Sequence, residues 1–365
     1  MISPQTIAHY LVRRKLLRSN EVLAPGLTIS NVSRRNCAIS VIRDGNPSYL
    51  VKQGVGVERI TTMRHEALVY QFLGEHNGLS SHLPRNFGFD AGRHLLILEF
   101  FKGSQNLSKY FGSAKRPPAS IGAMLGRALA EIHSYRPKDR RARNVLVRSG
   151  RGVPLILGLH KPSIRSLRNL SEGQIELIKI VQRFGFGKHL DRLKRGWRST
   201  SLTHGDLRFD NCLVPDPFSG DEKTCLRIVD WEFSGFGDPA WDVGFIFAEH
   251  LIFWVSSVPI TGDSPPDRCL NIAEMPLERM QPLLRSFWSS YHSRMRERVN
   301  VDHTEAQQLL LRALGYAPVR LLQSAFEEMR SSSQLTGRAI CLAQLSLNMF
   351  QRSQRAFAEL LGLRI

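Results

Sequence analysis

Residues 204–211 read HGDLRFDN, and a second polar run, LRIVDWEFSGFGDPAWDVG, occupies 226–244. In the first, Asp206 stands five positions before Asn211; in the second, Asp230 follows the apolar Leu226, Ile228 and Val229. Phosphoryl transfer is mainly positioning and charge neutralisation. It needs a cation over the phosphates, oxygen ligands for magnesium and a group that orients the acceptor hydroxyl. Asp206 can accept the hydroxyl proton, and Asn211 offers a neutral oxygen. A carboxylate at a strand's end, as expected for Asp230, can bridge metal and phosphate oxygens, the hard ligands magnesium prefers.

Outward from these strings, the chain reads as a small sheet followed by a long helical part. Residues 1 to about 24 predict one helix, with Ile7, Leu11, Leu16 and Leu17 among basic residues. The runs ISNVSRRNCAISVI and YLVKQ, separated by RDGNPS, predict strand, turn, strand. Thr61 to Leu73 predicts a helix, and FGFDAGRHLLILEF two more strands around Ala91-Gly92. Further on, Ser120 to His133 and Ser171 to Leu193 read as helical, Arg136 to Arg143 as a basic turn, and Thr224 to Asp230 as a strand. Asp242 to Phe253 then predicts a helix, and from about Leu277 three or four more follow. Breaks are expected at Gly315 with Pro318 and at Thr336-Gly337.

Lys52 falls in the strand YLVKQ and Glu66 in the helix after it. A strand lysine paired with a helix glutamate can hold nucleotide phosphates. The pair is common in isolation; the order Lys52, Glu66, Asp206, Asn211, Asp230 is what gives it weight. This order and the two polar strings resemble the aminoglycoside and choline kinase-like phosphotransferases, which share the protein-kinase fold. The helix ending ALAEIHSY also looks like the family's helix before the catalytic region. The resemblance spans most of residues 30 to 255.

It implies an α+β, two-lobed fold. An antiparallel-sheet N-terminal lobe would take residues 1–100, a hinge 101–105, and a large helical lobe with the catalytic and metal-binding loops 106–365. It also implies Asp206 as base, Asn211 and Asp230 as magnesium ligands, and Lys52 with Glu66 at the phosphates of ATP or GTP. His204 would brace the catalytic loop, with Asp242 a structural acceptor beside it. EFFKGSQNL, beginning at Glu99 and including Phe101, would meet the adenine through its backbone. One departure stands out: no GxGxxG precedes Lys52, and the corresponding turn reads NVSRRNC, residues 31–37. Ser33, Arg34, Arg35 and Asn36 are the candidate phosphate contacts there.

Composition narrows the function further. The five cysteines are scattered without a CxxC, which gives no support to a zinc site or disulfide framework and makes a reducing, cytoplasmic setting the expectation. The N-terminus lacks the uncharged apolar run of a signal peptide. The most apolar stretch, Val243 to Ile260, contains Glu249 and His250 and reads as a buried helix, not a membrane span. Net charge is +18, and Arg136 to Thr200 alone carries 17 Lys or Arg against four acids. That field favours anionic partners. Nucleic acid is disfavoured by the lack of any finger, helix-turn-helix or RNP-like signal.

The same field disfavours polycationic acceptors, although Asp263, Asp267, Glu274 and Glu278 are acids able to offset it locally. Trp254, Trp288 and Tyr291 could cage a choline-like cation, but core packing is the simpler reading. The acceptor expected first is the hydroxyl of a small molecule that is not a polycation. The alternative is a Ser or Thr of an acidic precursor peptide, phosphorylated for a partner lyase in lanthipeptide-type maturation. A non-catalytic nucleotide-binding scaffold is the third reading. All five polar positions being filled argues against it.

Overall fold

Alternation in the first strands determines which side chains reach which face. A computed structural model describes residues 2–33, 37–45, 47–114, 117–149, 152–218, 225–259 and 272–363. Strands β1 (Thr28–Asn31), β2 (Cys37–Ile42), β3 (Ser48–Gln53), β4 (Asn86–Asp90) and β5 (Leu95–Phe100) form an antiparallel sheet in the order β1-β2-β3-β5-β4. Ile39, Val41, Tyr49, Val51, Leu95 and Ile97 pack into one core with Ile7, Tyr10 and Leu11 of helix α1 (Pro4–Arg13). Because successive strand residues point to opposite faces, Lys52 turns away from that core.

The helix expected over 1–24 stops at Arg13, and Lys15 takes the left-handed φ of 58° that ends it. Helix α2 (Val57–Gly74) is buried through Thr62, Met63, Glu66, Ala67, Val69, Tyr70, Phe72 and Leu73. So many buried positions cover more than one face of a helix, and α2 meets β4, β5 and the turn 231–233. The short α3 (Asn77–Ser80) follows it.

Two compact units emerge from packing. The first is Met1–Gln105 with Pro137–Ser149 and Asn211–Ser234; the second is Asn106–Arg136, Gly150–Asp210 and Gly235–Ile365. A division of the chain at 101–105 would leave 137–149 and 211–234 with the helical part, whereas by packing they join the first unit. Residues 136–143, expected as a turn, lead into helix α6 (Arg140–Ser149), which packs on α2. Its Ala142 and Leu146, four apart, are buried, an apolar spacing that the surrounding arginines mask in the sequence.

The second unit holds α4 (Leu107–Ser113), α5 (Ala119–Ser134), α7 (Ile164–Leu167), α8 (Glu172–Arg183), α9 (Phe186–Arg195), α10 (Pro239–Ser256), α11 (Leu277–Val299), α12 (His303–Glu328), α13 (Gly337–Gln351) and α14 (Ser353–Ala356). Helices α5 and α11 approach so closely that a Cβ on Gly126 would stand 2.3 Å from Phe287 O. The break expected at Gly315 and Pro318 does not occur: α12 runs through both. Proline forfeits one helical hydrogen bond. Burial offsets that loss: Ala313, Leu314, Tyr316, Ala317, Val319, Leu321 and Leu322 are all buried, and α12 packs on α10 and α13. The Pro318 carbonyl also accepts from Ser346 Oγ at 2.7 Å. The break at Thr336-Gly337 is present, with Thr336 capping α13. Among the described residues no helix is long and apolar enough to cross a membrane.

Candidate active site

In the first unit, Lys52 Nζ donates to Glu66 Oε1 and Oε2 at 2.8 and 2.7 Å and to Asp230 Oδ1 at 2.7 Å. Lys52 is 8 % exposed and Glu66 0 %. Burial alone would lower the lysine's pKa, but Glu66 and Asp230 outweigh it and hold the ammonium charged well above its ordinary range. Burial pushes Glu66 up to about 7, against the pull of Lys52, and the nearby Asp230 charge adds to the push. The two directions look opposed, because a closed ion pair would draw the glutamate down. They are compatible because one lysine serves two carboxylates, and the more buried of the two pays the greater desolvation cost.

Asp230 follows strand β9 (Arg227–Ile228) and adopts a left-handed φ of 68°. The strand expected over 224–230 is thus shorter; Thr224 lies outside the described residues. The left-handed conformation costs an L-residue roughly 1–2 kcal/mol, less for Asp. It is held by Lys52 at the side chain and by the Asp230 N–H donating to Tyr70 Oη at 3.2 Å. Strand β8 (Cys212–Pro215) pairs with β9, and the Val229 N–H donates to Asn211 O at 2.9 Å. Asn211 and Asp230 therefore sit at the same end of this ladder.

One amide oxygen and one carboxylate suit magnesium, which keeps several waters and takes further oxygens from phosphates. Among the described residues no cluster of three His, Cys, Asp or Glu side chains offers a self-sufficient metal cage. Ser33 is engaged in its own turn, its Oγ accepting from the Ala38 N–H at 2.9 Å; Arg34, Arg35 and Asn36 lie outside the described residues. Glu99 is still within β5, with its N–H donating to Arg85 O at 2.9 Å. The Phe101 carbonyl accepts from Ser104 Oγ at 2.8 Å, and the Arg227 guanidinium lies 5.0 Å from the Phe101 ring centroid.

In the second unit, β7 (Ser201–Thr203) pairs with β10 (Gly235–Gly237) and delivers the chain to His204. Asp242, in the first turn of α10 and fully buried, accepts from the His204 N–H at 2.6 Å and the Gly205 N–H at 3.0 Å. His133 Nε2 lies 3.3 Å from the same carboxylate, with its Nδ1 2.8 Å from Tyr291 Oη. Asp242 thus fixes two consecutive amides just before Asp206. His204 contributes a local contact, its Nδ1 3.3 Å from the Asp206 N–H.

After Asp206, four unanticipated charged residues enter: Arg208, Glu249, Arg320 and Glu327. Arg208 Nε donates to Asp206 Oδ1 at 2.8 Å, and its Nη2 to Glu327 Oε1 and Oε2 at 2.8 and 2.7 Å. The Phe209 N–H donates to Glu249 Oε2 at 3.0 Å. Arg320, 2 % exposed, reaches Glu249 and Glu327 at 3.1 and 3.4 Å. Burial lowers the Arg208 pKa, but Asp206 and Glu327 more than reverse it, so the guanidinium stays charged. Glu249 is pushed up by burial against Arg320. Glu327 is pushed up by burial too, yet Arg320 and Arg208 bring it below its ordinary value. Arg320 and Glu249, each a charge within an apolar run, were the available sequence signals, but the partners lie up to 119 residues apart.

The proposed aromatic cage is absent from this arrangement: Tyr291 and Trp254 are 2 % and 6 % exposed, and Tyr291 serves His133. Asp263 and Asp267 lie outside the described residues.

Residues 31–261 match the model of the phosphotransferase enzyme family. The chain belongs to this family. It is a phosphotransferase with an alcohol group as acceptor. Its fold is that of solved kinase-like relatives. A choline kinase from Cryptosporidium parvum Iowa II is 14 % identical with a TM-score of 0.58, over 98 % of this chain and 97 % of that one. An aminoglycoside phosphotransferase bound to ADP is 13 % identical with a TM-score of 0.51, over 94 % and 98 %. A macrolide 2′-phosphotransferase from Brachybacterium faecium gives the same identity, score and coverage. Sequence comparison with curated proteins finds no match.

Proposed function

We propose that this phosphotransferase moves the γ-phosphate of ATP, with magnesium, to the hydroxyl of a small molecule that is not a polycation. The observation that carries the nucleotide half is the buried lysine between two carboxylates. Lys52, oriented by Glu66, presents a fixed cation for phosphate oxygens, which are strong acceptors for a charged donor. Asn211 and Asp230 would hold magnesium, which when bound neutralises phosphate charge. Glu99 to Phe101 would offer backbone groups to the base, and Ser33 with its neighbours would cover the phosphates. A structurally similar aminoglycoside phosphotransferase solved with ADP supports nucleotide use.

For the acceptor half, Asp206 is the base. Its loop is held from before by Asp242 and from after by Glu249 and Glu327, so the carboxylate pays little ordering cost on binding substrate. It accepts the hydroxyl hydrogen as the oxygen attacks the γ-phosphorus and the bond from that phosphorus to the β–γ bridging oxygen breaks, releasing ADP. Two of the similar structures are a choline kinase and an aminoglycoside phosphotransferase. Here the 150–200 region exposes Arg165, Arg168, Arg183, Lys188, Arg192 and Arg195 without a carboxylate partner among the described residues, a field that disfavours such cations.

The test is a screen of Mg-ATP consumption and 32P transfer against neutral, anionic and cationic hydroxyl compounds and acidic Ser/Thr peptides. The proposal expects transfer to a neutral or anionic small molecule. Transfer only to polycations or only to peptides overturns the acceptor assignment; no transfer to any hydroxyl or to water overturns the ATP reading.

A further inference from the structure

Asp242 accounts for the loop before the base, but not for the residues after it. There, Asp206, Arg208, Glu327, Arg320 and Glu249 alternate in sign, each within hydrogen-bond or ion-pair distance of the next. We infer that Arg208, clamped by Glu327 of α12, is a positioning residue that sets the direction of the Asp206 carboxylate. This rests on the reading of Asp206 as the base.

The geometry favours positioning over plain stabilisation. Exposed ion pairs contribute little, and a shielded chain of charges costs desolvation that apolar side chains would avoid. What the chain supplies is direction. Arg208 uses Nε for Asp206 and Nη2 for both oxygens of Glu327. A planar guanidinium with its donors in a fixed fork thereby ties the angle of one carboxylate to the other. Glu327 is held in turn by Gln323 Nε2 at 2.9 Å and by Arg320. Arg320 also grips Glu249, which holds the Phe209 N–H. The loop's direction is thus referred to two buried helices. A lysine at position 208 would keep the charge and lose the fork.

The test compares wild type, Arg208→Lys, Glu327→Gln and the double variant of the full chain. The readouts are kcat and KM for Mg-ATP, with the acceptor found by screening or with water, and Tm. We expect each single variant to lower kcat roughly tenfold with KM for Mg-ATP within about twofold, and the double to be no worse than Arg208→Lys, because coupled residues fail to add. Losses that multiply, or a lowered Tm with kcat unchanged, overturn the inference. Should Glu327→Gln fail to fold by circular dichroism, Glu327→Asp replaces it with the same expectations. Asp206→Asn separates the two levels. If that variant keeps its rate, the base reading falls. If it loses its rate while the Arg208 and Glu327 variants keep theirs, only the positioning role falls.

Discussion

In the first unit one lysine faces two carboxylates, Glu66 and Asp230; in the second, three carboxylates alternate with two arginines around residues 206–209. The lysine is a point charge, and among the described residues it is the cation paired with the buried Glu66. The arginines are planar and shared, and Glu327 and Glu249 are each held by more than one group. Concentrated charge makes a cluster that tolerates the loss of its one lysine badly. Distributed charge makes a loop whose aim is over-determined.

The largest effect expected is on chemistry. Asp206→Asn should lower phosphate transfer by about a thousandfold while nucleotide affinity and Tm stay at wild-type values, measured by steady-state kinetics and calorimetry. Loss of nucleotide affinity would mean that this loop serves binding instead. Next comes stability. Lys52→Met strands a fully buried Glu66 and should cost about 3 kcal/mol in urea unfolding at pH 8, whereas Arg208→Met should cost about 1 kcal/mol. Equal costs would break the contrast between concentrated and distributed charge.

Acid–base behaviour should sharpen it. Glu66 rises from an ordinary 4.5 to about 7 in the fold, so between those values the native state holds a proton that the unfolded chain releases. Its contribution is present at acid pH and fades as pH rises through 7. Glu66→Gln should flatten that decline in urea unfolding between pH 5 and 8; an unchanged slope would contradict a raised Glu66. The smallest effect has the opposite sign. Burial lowers His250 from 6.5 to about 4, against its bond to Ile246 O. Below about 6.5 the unfolded chain takes up a proton the fold refuses, so stability falls with falling pH. His250→Leu should remove that acid-side decline in urea unfolding between pH 4 and about 6.5; an unchanged slope would contradict a lowered His250.

Much of the site was legible because its parts are short and local. HGDLRFDN places His204, Asp206 and Asn211 within eight residues, and Asp230 follows a recognisable apolar run. Lys52 and Glu66 were legible from strand alternation and the helix after it. The basic stretch at 136–143 misled, since charge at exposed positions concealed the Ala142 and Leu146 stripe of α6. Pro318 misled for a related reason: proline weakens a helix locally, but packing on two neighbours outweighs it.

The sequence by itself determined the order of polar groups, the sheet-then-helices plan and the uneven charge, because each follows from neighbouring residues and side-chain period. Only the tertiary structure decided that Asp230 joins Lys52 and Glu66, that Asp242 secures the loop before Asp206, and that Arg208 is tied to Glu327. Those partners lie 178, 38 and 119 residues apart, respectively. Contacts between charges so distant in the chain exist only once helices and strands pack, and no local periodicity records them.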